Sequence, residues 1–177
     1  MKKVLGLIAA LMLVTSVSLA APSTGKWQMQ VGGGADILAS NFNTAVYSLG
    51  IGGEVGIDYS VNDNWSFWLN LTDYYLLSNA TGYSTNMVES ILSAKYAFSG
   101  AGMKPYIRAG FGGFTQIYSN IYGSASATDV MAQGGLGLEF PVTKRLNIFV
   151  EGRAGFIFLT GGTLVDIPIN GGVVIDL

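Results

Sequence analysis

Residues 47–59 read Tyr-Ser-Leu-Gly-Ile-Gly-Gly-Glu-Val-Gly-Ile-Asp-Tyr, with apolar side chains at nearly every second position. The positions between them hold Ser, Gly, Glu and Asp. Alternation with a period of two is typical of a β-strand whose two faces meet different surroundings. Gly recurs every few residues and costs about 1 kcal/mol per position in a helix interior, which argues against a helix. The stretch therefore predicts a long amphipathic strand.

The same alternation recurs in seven other segments, at residues 26–37, 65–72, 88–98, 106–113, 129–140, 146–158 and 165–177. A strand that crosses a membrane needs about 9–11 residues, whereas strands of soluble proteins average about 5–6. Long strands in an even number are typical of closed membrane barrels. The sequence predicts an all-β fold, an eight-stranded antiparallel up-and-down transmembrane β-barrel.

The connections between the segments differ in length. Residues 60–64, 99–103 and 141–145 are short connections, and residues 38–46, 76–86 and 119–128 are longer ones. Residues 160–164 are a short connection where the alternation calls for a long one. Short periplasmic turns and longer outer loops are the rule in membrane barrels. We therefore expect both termini on the periplasmic side.

Alternation alone does not say which face points outward, but composition does. Only 11% of the 177 residues are charged, against about 25% in ordinary soluble domains. The polar faces are rich in Gly, Ser, Ala and Asn, which suit the narrow interior of an eight-stranded barrel. We expect the apolar faces to meet lipid and the scattered charges to pair in the lumen. These predicted lumen residues are Glu54, Asp58, Glu89, Lys95, Arg108, Glu139, Glu151 and Arg153.

Aromatic residues cluster near the ends of the predicted strands. Such girdles mark the two membrane interfaces, because aromatic rings are amphipathic. The predicted periplasmic girdle comprises Trp27, Tyr59, Trp65, Phe98 and Phe140. The predicted outer girdle comprises Tyr47, Tyr75, Tyr118 and Phe158.

The N-terminus has the three regions of a secretory signal peptide. Lys2 and Lys3 precede an almost unbroken apolar run at residues 4–14, and Ser18-Leu19-Ala20 supplies small residues before a cleavage site. We expect cleavage after Ala20, which leaves residues 21–177 as the barrel domain. Without the two lysines, 7 Lys and Arg face 11 Asp and Glu, a net charge of −4. Such a signal predicts export and, for this barrel, the outer membrane.

Few catalytic residue types are available. The chain has no Cys and no His, which excludes disulfides, cysteine nucleophiles, Ser-His arrangements and most zinc sites. Glu54 and Asp58 share one strand face but lie about 13 Å apart at that spacing, too far for paired acid–base chemistry. The sequence predicts no enzyme activity, no cofactor and no metal. The acidic balance and the lack of a basic patch exclude a nucleic-acid partner.

Two motifs carry a family resemblance. Lys104-Pro105-Tyr106-Ile107-Arg108-Ala109-Gly110-Phe111-Gly112 resembles a Pro-Tyr strand motif of small Gram-negative outer-membrane barrels, the outer membrane protein X type and the barrel half of outer membrane protein A. The C-terminus is similar to the assembly signal of such proteins, with Ile and Leu where aromatics are common. The matching positions are Asn170, Gly172, Ile175 and Leu177.

The resemblance implies embedding in outer-membrane lipid and recognition by the barrel-assembly machinery. Our main prediction is a non-enzymatic barrel with a largely plugged polar lumen, acting in surface interaction or envelope integrity. The outer loops are rich in Ser, Asn, Thr and Tyr, which suits contact with a surface ligand. Two alternatives stay open: a narrow pore for small solutes, and a soluble exported barrel that binds a hydrophobic ligand.

Overall fold

The structure is a computed structural model that describes residues 25–40, 46–77, 83–98 and 102–177. The predicted signal peptide lies outside the described residues. Eight strands follow one another along the chain: β1 (Lys26–Ser40), β2 (Val46–Ser60), β3 (Trp65–Leu76), β4 (Tyr83–Ala97), β5 (Lys104–Asn120), β6 (Gly123–Pro141), β7 (Leu146–Leu159) and β8 (Gly162–Asp176). None of the described residues forms a helix long and apolar enough to span a membrane.

Each strand pairs antiparallel with its neighbour in sequence, and β8 pairs with β1 to close the barrel. The closing seam runs from the pair Gln28–Asp176 to the pair Ser40–Leu164. Strand β1 begins and β8 ends at the same end of the barrel, here named the terminal end. The opposite end is named the far end. The predicted fold class, a closed eight-stranded antiparallel barrel, is confirmed.

The two faces of the wall separate by polarity as the alternation predicted. Along β3 every second residue is buried, from Ser66 to Leu76, and the residues between them are exposed. Leu69, for example, is 53% exposed, whereas its neighbour Asn70 is 1% exposed. Exposed apolar side chains continue around the barrel, among them Ile57, Leu92, Ile107, Leu136, Val150 and Ile169. The apolar face points outward, and most polar side chains point into the lumen.

The far end differs from the prediction. Residues 119–128, expected to be a long loop, belong to β5 and β6 except for a two-residue turn at Ile121 and Tyr122. The backbone N–H groups of Tyr122 and Gly123 donate to Asn120 Oδ1, at 2.8 and 3.1 Å, which holds the turn. Ser and Ala have little preference for strands, so the sequence of this segment does not indicate a strand. Pairing with β5 outweighs this low preference.

The other two predicted long loops are also shorter in the structure. Strand β1 continues to Ser40 and β2 begins at Val46, so the described strands take up both ends of residues 38–46. Likewise β3 ends at Leu76 and β4 begins at Tyr83. Residues 41–45 and 78–82 lie outside the described parts of the chain. The strands at the far end are therefore longer than the hydropathy pattern alone indicated.

Candidate functional site

The lumen holds all eight of the predicted charged residues, and each is at most 6% exposed. They lie at three levels along the barrel. Lys95, Asp58 and Glu139 lie near the terminal end, the two arginines with Glu54 and Glu151 lie at the middle, and Glu89 lies toward the far end. Each of these residues stands on the inward face of its strand, and the register between neighbouring strands sets its height along the barrel.

Lys95 organises the level nearest the terminal end. Its ammonium group forms an ion pair with Glu139. The same group lies 4.6 Å from the ring centroid of Trp68 and 4.8 Å from that of Tyr106. Two aromatic faces and a carboxylate together replace the water that this buried cation has lost. Asp58 is buried at the same level and interacts electrostatically with Lys95.

The middle level is an ion-pair network across the barrel. Arg153 contacts Glu54 Oε2 at 3.0 Å through Nη2 and Glu151 Oε1 at 3.3 Å through Nε. Arg108 Nη2 lies 3.2 Å from the same Glu151 oxygen. Two guanidinium groups thus balance two carboxylates, so the network is neutral as a unit. Burying the four charges together lowers the desolvation cost that each would carry alone.

Neutral side chains complete this network. Tyr74 accepts a hydrogen bond from Arg153 Nη2 at 3.2 Å and one from Asn170 Nδ2 at 2.7 Å. Asn170 Nδ2 also donates to Glu54 Oε2 at 3.2 Å, and Gln30 donates to the other Glu54 oxygen. Residues from β1, β2, β3, β7 and β8 therefore meet in the middle of the lumen. The strand pattern did not predict Tyr74, Gln30 or Asn170 as parts of this network.

The far half of the lumen holds two further features that sequence reasoning missed. Asp36 and Asp166 are fully buried and interact electrostatically with each other and with Glu89. Among the described residues, none of these three carboxyls has an ion-pair partner. Both aspartates stand on the polar faces of their strands, a signal that was present in the sequence. No group of three or more acidic, His or Cys side chains in the described ranges is arranged to hold a metal ion.

The second missed feature is an apolar cluster inside the barrel. It arises because several large side chains occupy inward positions near the far end, so the interior is not uniformly polar. Among the described residues its members are Leu38, Tyr74, Leu76, Met87, Ile91, Phe114, Met131 and Ile157. Packed side chains therefore fill the far half of the lumen, while a cavity of about 370 Å³ opens at the terminal end.

Among the predicted interface aromatics whose side chains are described, all but one stand on the outward face of the wall. Trp65, Phe98, Phe140, Tyr75 and Phe158 are exposed on the outward face, and Trp27 and Tyr59 are partly exposed there. Trp27 packs on Tyr59 with ring centroids 4.9 Å apart, and Tyr96, which the prediction omitted, bridges Trp65 and Phe98 at 5.0 and 5.1 Å. The Tyr47 side chain lies outside the described residues.

Tyr118 is the exception. It stands on the face of β5 that carries Tyr106, Arg108 and Phe114, which is the inward face. Tyr118 is nevertheless 49% exposed, because β5 has risen beyond the barrel rim at this height. Its register partners are Thr85 on β4 and Ala125 on β6. The prediction placed it in the lipid-facing girdle because the β5 alternation was followed only to Gly113.

The far end carries an extension of the wall built from three strands. Residues 83–86 of β4, 115–120 of β5 and 123–128 of β6 continue the sheet, and this set is named the far extension. Ile121 and Tyr122 at its tip are 81% and 91% exposed. The sequence places no Lys or Arg in it or in the neighbouring connections, since every cation after residue 25 lies in the lumen or at the terminal end. The far extension is therefore an exposed surface without positive charge.

The C-terminal positions take part in closing the barrel. Asn170 faces the lumen, and Leu177 is exposed, with its backbone N–H donating to the Trp27 carbonyl oxygen at 2.9 Å. Gly172 and Ile175 lie opposite Gly32 and Met29 in the seam with β1. Three of these four residues thus lie on β8, and Leu177 directly follows its end. Their role as an assembly signal stays a prediction.

A closed barrel with an apolar belt outside and charged residues inside defines a transmembrane barrel of the outer membrane. A family model described as the outer membrane protein beta-barrel domain matches residues 7–161. The chain belongs to this family, and its place is the cell outer membrane, where it embeds in lipid. The soluble-barrel alternative is wrong, because in the described barrel the apolar faces point outward and polar side chains fill much of the interior.

Solved structures show the same fold. Neisserial surface protein A is 15% identical, with a TM-score of 0.76 over 85% of this chain and 97% of that one. Ail of Yersinia pestis, solved with the heparin analogue sucrose octasulfate, is 14% identical, with a TM-score of 0.55 over 85% and 99%. The N-terminal barrel of Pseudomonas aeruginosa OprF is 18% identical, with a TM-score of 0.52 over 86% and 99%. No curated protein matches the sequence.

The apolar belt makes a first testable prediction. Leu69→Arg places a charge at the middle of β3 facing lipid, and we expect it to lower the free energy of unfolding by about 2–4 kcal/mol. The measurement is urea unfolding of the refolded barrel in lipid vesicles. Val61→Arg is the control, because Val61 is 45% exposed, close to the 53% of Leu69, but lies in the turn between β2 and β3. Equal effects of the two variants would show that the belt does not meet lipid.

Proposed function

We propose that this protein is a non-enzymatic outer-membrane barrel with a closed lumen, which acts in surface interaction through its far extension. The observation that carries the proposal is the height of β4, β5 and β6 above the rest of the wall. Strands β5 and β6 have 17 and 19 residues, several more than a membrane crossing needs. With both termini on the periplasmic side, as the lengths of the connections predict, the far extension stands outside the cell.

The closed lumen is the second part of the proposal. The Arg153 network fills the middle of the barrel, and the apolar cluster fills the half above it. Because both sets of side chains occupy the lumen beyond the cavity at the terminal end, we favour a plugged barrel over the narrow-pore alternative. The lack of His and Cys in the sequence supports a role without catalysis.

The partner of the far extension is proposed to be uncharged or weakly charged. Ail of Yersinia pestis has been solved with a sulfated ligand, but its low identity to this chain carries only the fold. A polyanion needs Lys or Arg at the contact surface, and the far extension has none. We therefore expect no binding of heparin-like polymers by this chain. Assembly by the barrel-assembly machinery, guided by residues 170–177, also belongs to the proposal.

Truncating the hairpin tests the surface role. Residues 116–127 are removed and an Asn-Gly turn joins Thr115 to Thr128, which keeps the 2.9 Å contact between their hydroxyl oxygens. We expect the barrel to fold and shift its gel mobility on boiling as before. Adhesion of a non-adhesive Gram-negative host carrying the protein, to epithelial cells and serum-coated surfaces, should fall at least tenfold.

Two results would contradict the proposal. Adhesion that survives truncation would remove the far extension from the function. Loss of resistance to large antibiotics in the truncated strain, with adhesion unchanged, would favour the envelope-integrity role. Removing the Ile121 and Tyr122 side chains alone, as the double variant Ile121→Ser and Tyr122→Ser, separates the tip from the strands beneath it.

A further inference from the structure

One edge of the far extension has no paired strand. Residues 123–129 of β6 pair with β5 on one side, from Asn120–Gly123 to Phe114–Asp129. On the other side, the pairing of β6 with β7 begins only at Val130–Phe158, because β7 ends at Leu159. Within the described parts of the chain, no strand covers this edge. The backbone N–H and C=O groups that point away from β5 are therefore open to a new partner.

The edge also lacks the features that usually protect an open strand. Natural edges carry Pro, Lys, bulges or a covering segment that block pairing with another chain. Residues 123–129 read Gly-Ser-Ala-Ser-Ala-Thr-Asp, with no Pro and no Lys, and residues 123–128 are all exposed. The β4 edge of the extension is shorter, since only Tyr83 and Ser84 lie beyond the Leu76–Thr85 pair. The longer open edge of the far extension is thus the one on β6.

We propose that the β6 edge at residues 123–129 receives an extended segment of a partner protein as an added strand. This inference rests on the proposed surface role and names the form of the partner. Main-chain hydrogen bonds supply affinity in this kind of recognition, and alternate side chains supply specificity. A second copy in the same membrane does not fit an antiparallel match. Two copies that pair in this way are related by a two-fold axis normal to the sheet. That rotation would invert one barrel relative to the membrane.

The side chains around the edge indicate the chemistry of the partner. Ala125 and Ala127 lie on the inward face and leave room beside the half-exposed ring of Tyr118, which stands opposite Ala125. Ser124 and Ser126 lie on the other face and offer hydroxyl groups. Asp129 is the one charge on this edge, so an acidic segment is disfavoured. The fitting partner is an extended segment that alternates apolar residues with Ser or Thr.

A peptide experiment tests the added strand. The probe is a fluorescent, capped seven-residue peptide of alternating Thr and Val, added to the refolded barrel in lipid nanodiscs. We expect saturable binding by anisotropy and slower amide hydrogen exchange at residues 123–129. The double variant Ser124→Lys and Ser126→Lys should weaken binding at least tenfold, because edge lysines oppose strand addition. Ser119→Lys is the matched control, on the same face but on β5, one strand inside.

A second probe is the same peptide with alternate backbone nitrogens methylated, which keeps its side chains and loses the hydrogen-bond donors along one edge. This probe tests the wild-type barrel, so it remains informative even if a lysine variant misfolds. Equal binding of the methylated peptide, an equal loss in Ser119→Lys, or no protection at residues 123–129 would overturn the inference. Cell adhesion separates the two proposals. If the double lysine variant adheres like wild type and the truncated barrel does not, the surface role stands and edge pairing falls.

Discussion

Arg153→Met is expected to lower the free energy of unfolding by about 3–5 kcal/mol, because it leaves buried carboxylates without their cation. Arg153 contacts Glu54 at 3.0 Å and Glu151 at 3.3 Å, and its side chain is almost completely buried. Glu151 keeps Arg108 after the change, whereas Glu54 keeps only the amides of Gln30 and Asn170. The measurement is urea unfolding of the refolded barrel in lipid vesicles.

The same variant tests whether the network closes the lumen. Wild-type barrels in a planar bilayer should show no stable conductance steps, and Arg153→Met should produce small ones as water enters around Glu54. Arg145→Met removes an exposed arginine from the turn between β6 and β7 and should change neither property. Adding Glu54→Gln to Arg153→Met should recover part of the stability, since it removes the stranded charge. Conductance steps in the wild-type barrel would instead support the narrow-pore alternative.

Gly34→Ala is expected to prevent most chains from assembling. A β-carbon on Gly34 would overlap the carbonyl oxygen of Ile169 and the side chain of Asn170, both on β8. The carbonyl belongs to the seam between β1 and β8, so it cannot move without opening the barrel. Overpacking typically costs about 1–3 kcal/mol and occasionally more, and a clash with backbone atoms leaves little room to relax. The measurement is the fraction of chains that refold into vesicles and migrate faster in a gel without boiling.

Gly152→Ala provides the matched control, because a β-carbon there meets no atom within 4 Å. Gly152 lies on the outward face of β7, so the two variants add the same methyl group to opposite sides of the wall. We expect Gly152→Ala to assemble like wild type. Equal yields for the two alanine variants would mean that β1 and β8 approach less closely than the structure shows.

The sequence predicted the faces of the wall but not the contents of the lumen in full. The alternation along a strand directly predicts which side chains point inward and which point outward. Leu69 and Asn70 were therefore assigned to the correct faces from the sequence alone. Contacts across the lumen depend on closure of the barrel and on the stagger between neighbouring strands. The alternation along a single strand specifies neither of these. Asp36, Glu89 and Asp166 lie on β1, β4 and β8, and only closure brings them together.

The far extension was missed for a different reason. Its strands are rich in Ser, Ala, Thr and Asn, so they lack the continuous apolar face that reveals a strand inside lipid. Outside the membrane both faces meet water, and the pattern with a period of two disappears while the hydrogen-bonded ladder continues. Tyr118 was assigned to the wrong face for the same reason. Beyond Gly113 the apolar and polar residues of β5 no longer alternate, so the sequence does not show which face Tyr118 occupies.

The seam between β1 and β8 makes closure of the barrel a non-local step in folding. The first and last strands of the barrel are partners, separated by nearly the whole length of the domain. Until β1 and β8 pair, the partly folded sheet has two unpaired edges and an uncovered apolar surface, and such a state is prone to aggregation. No local hairpin can substitute for this final step, since each one leaves both outer strands unpaired. Exposure of these edges and of this apolar surface therefore ends only when β1 and β8 pair and close the barrel.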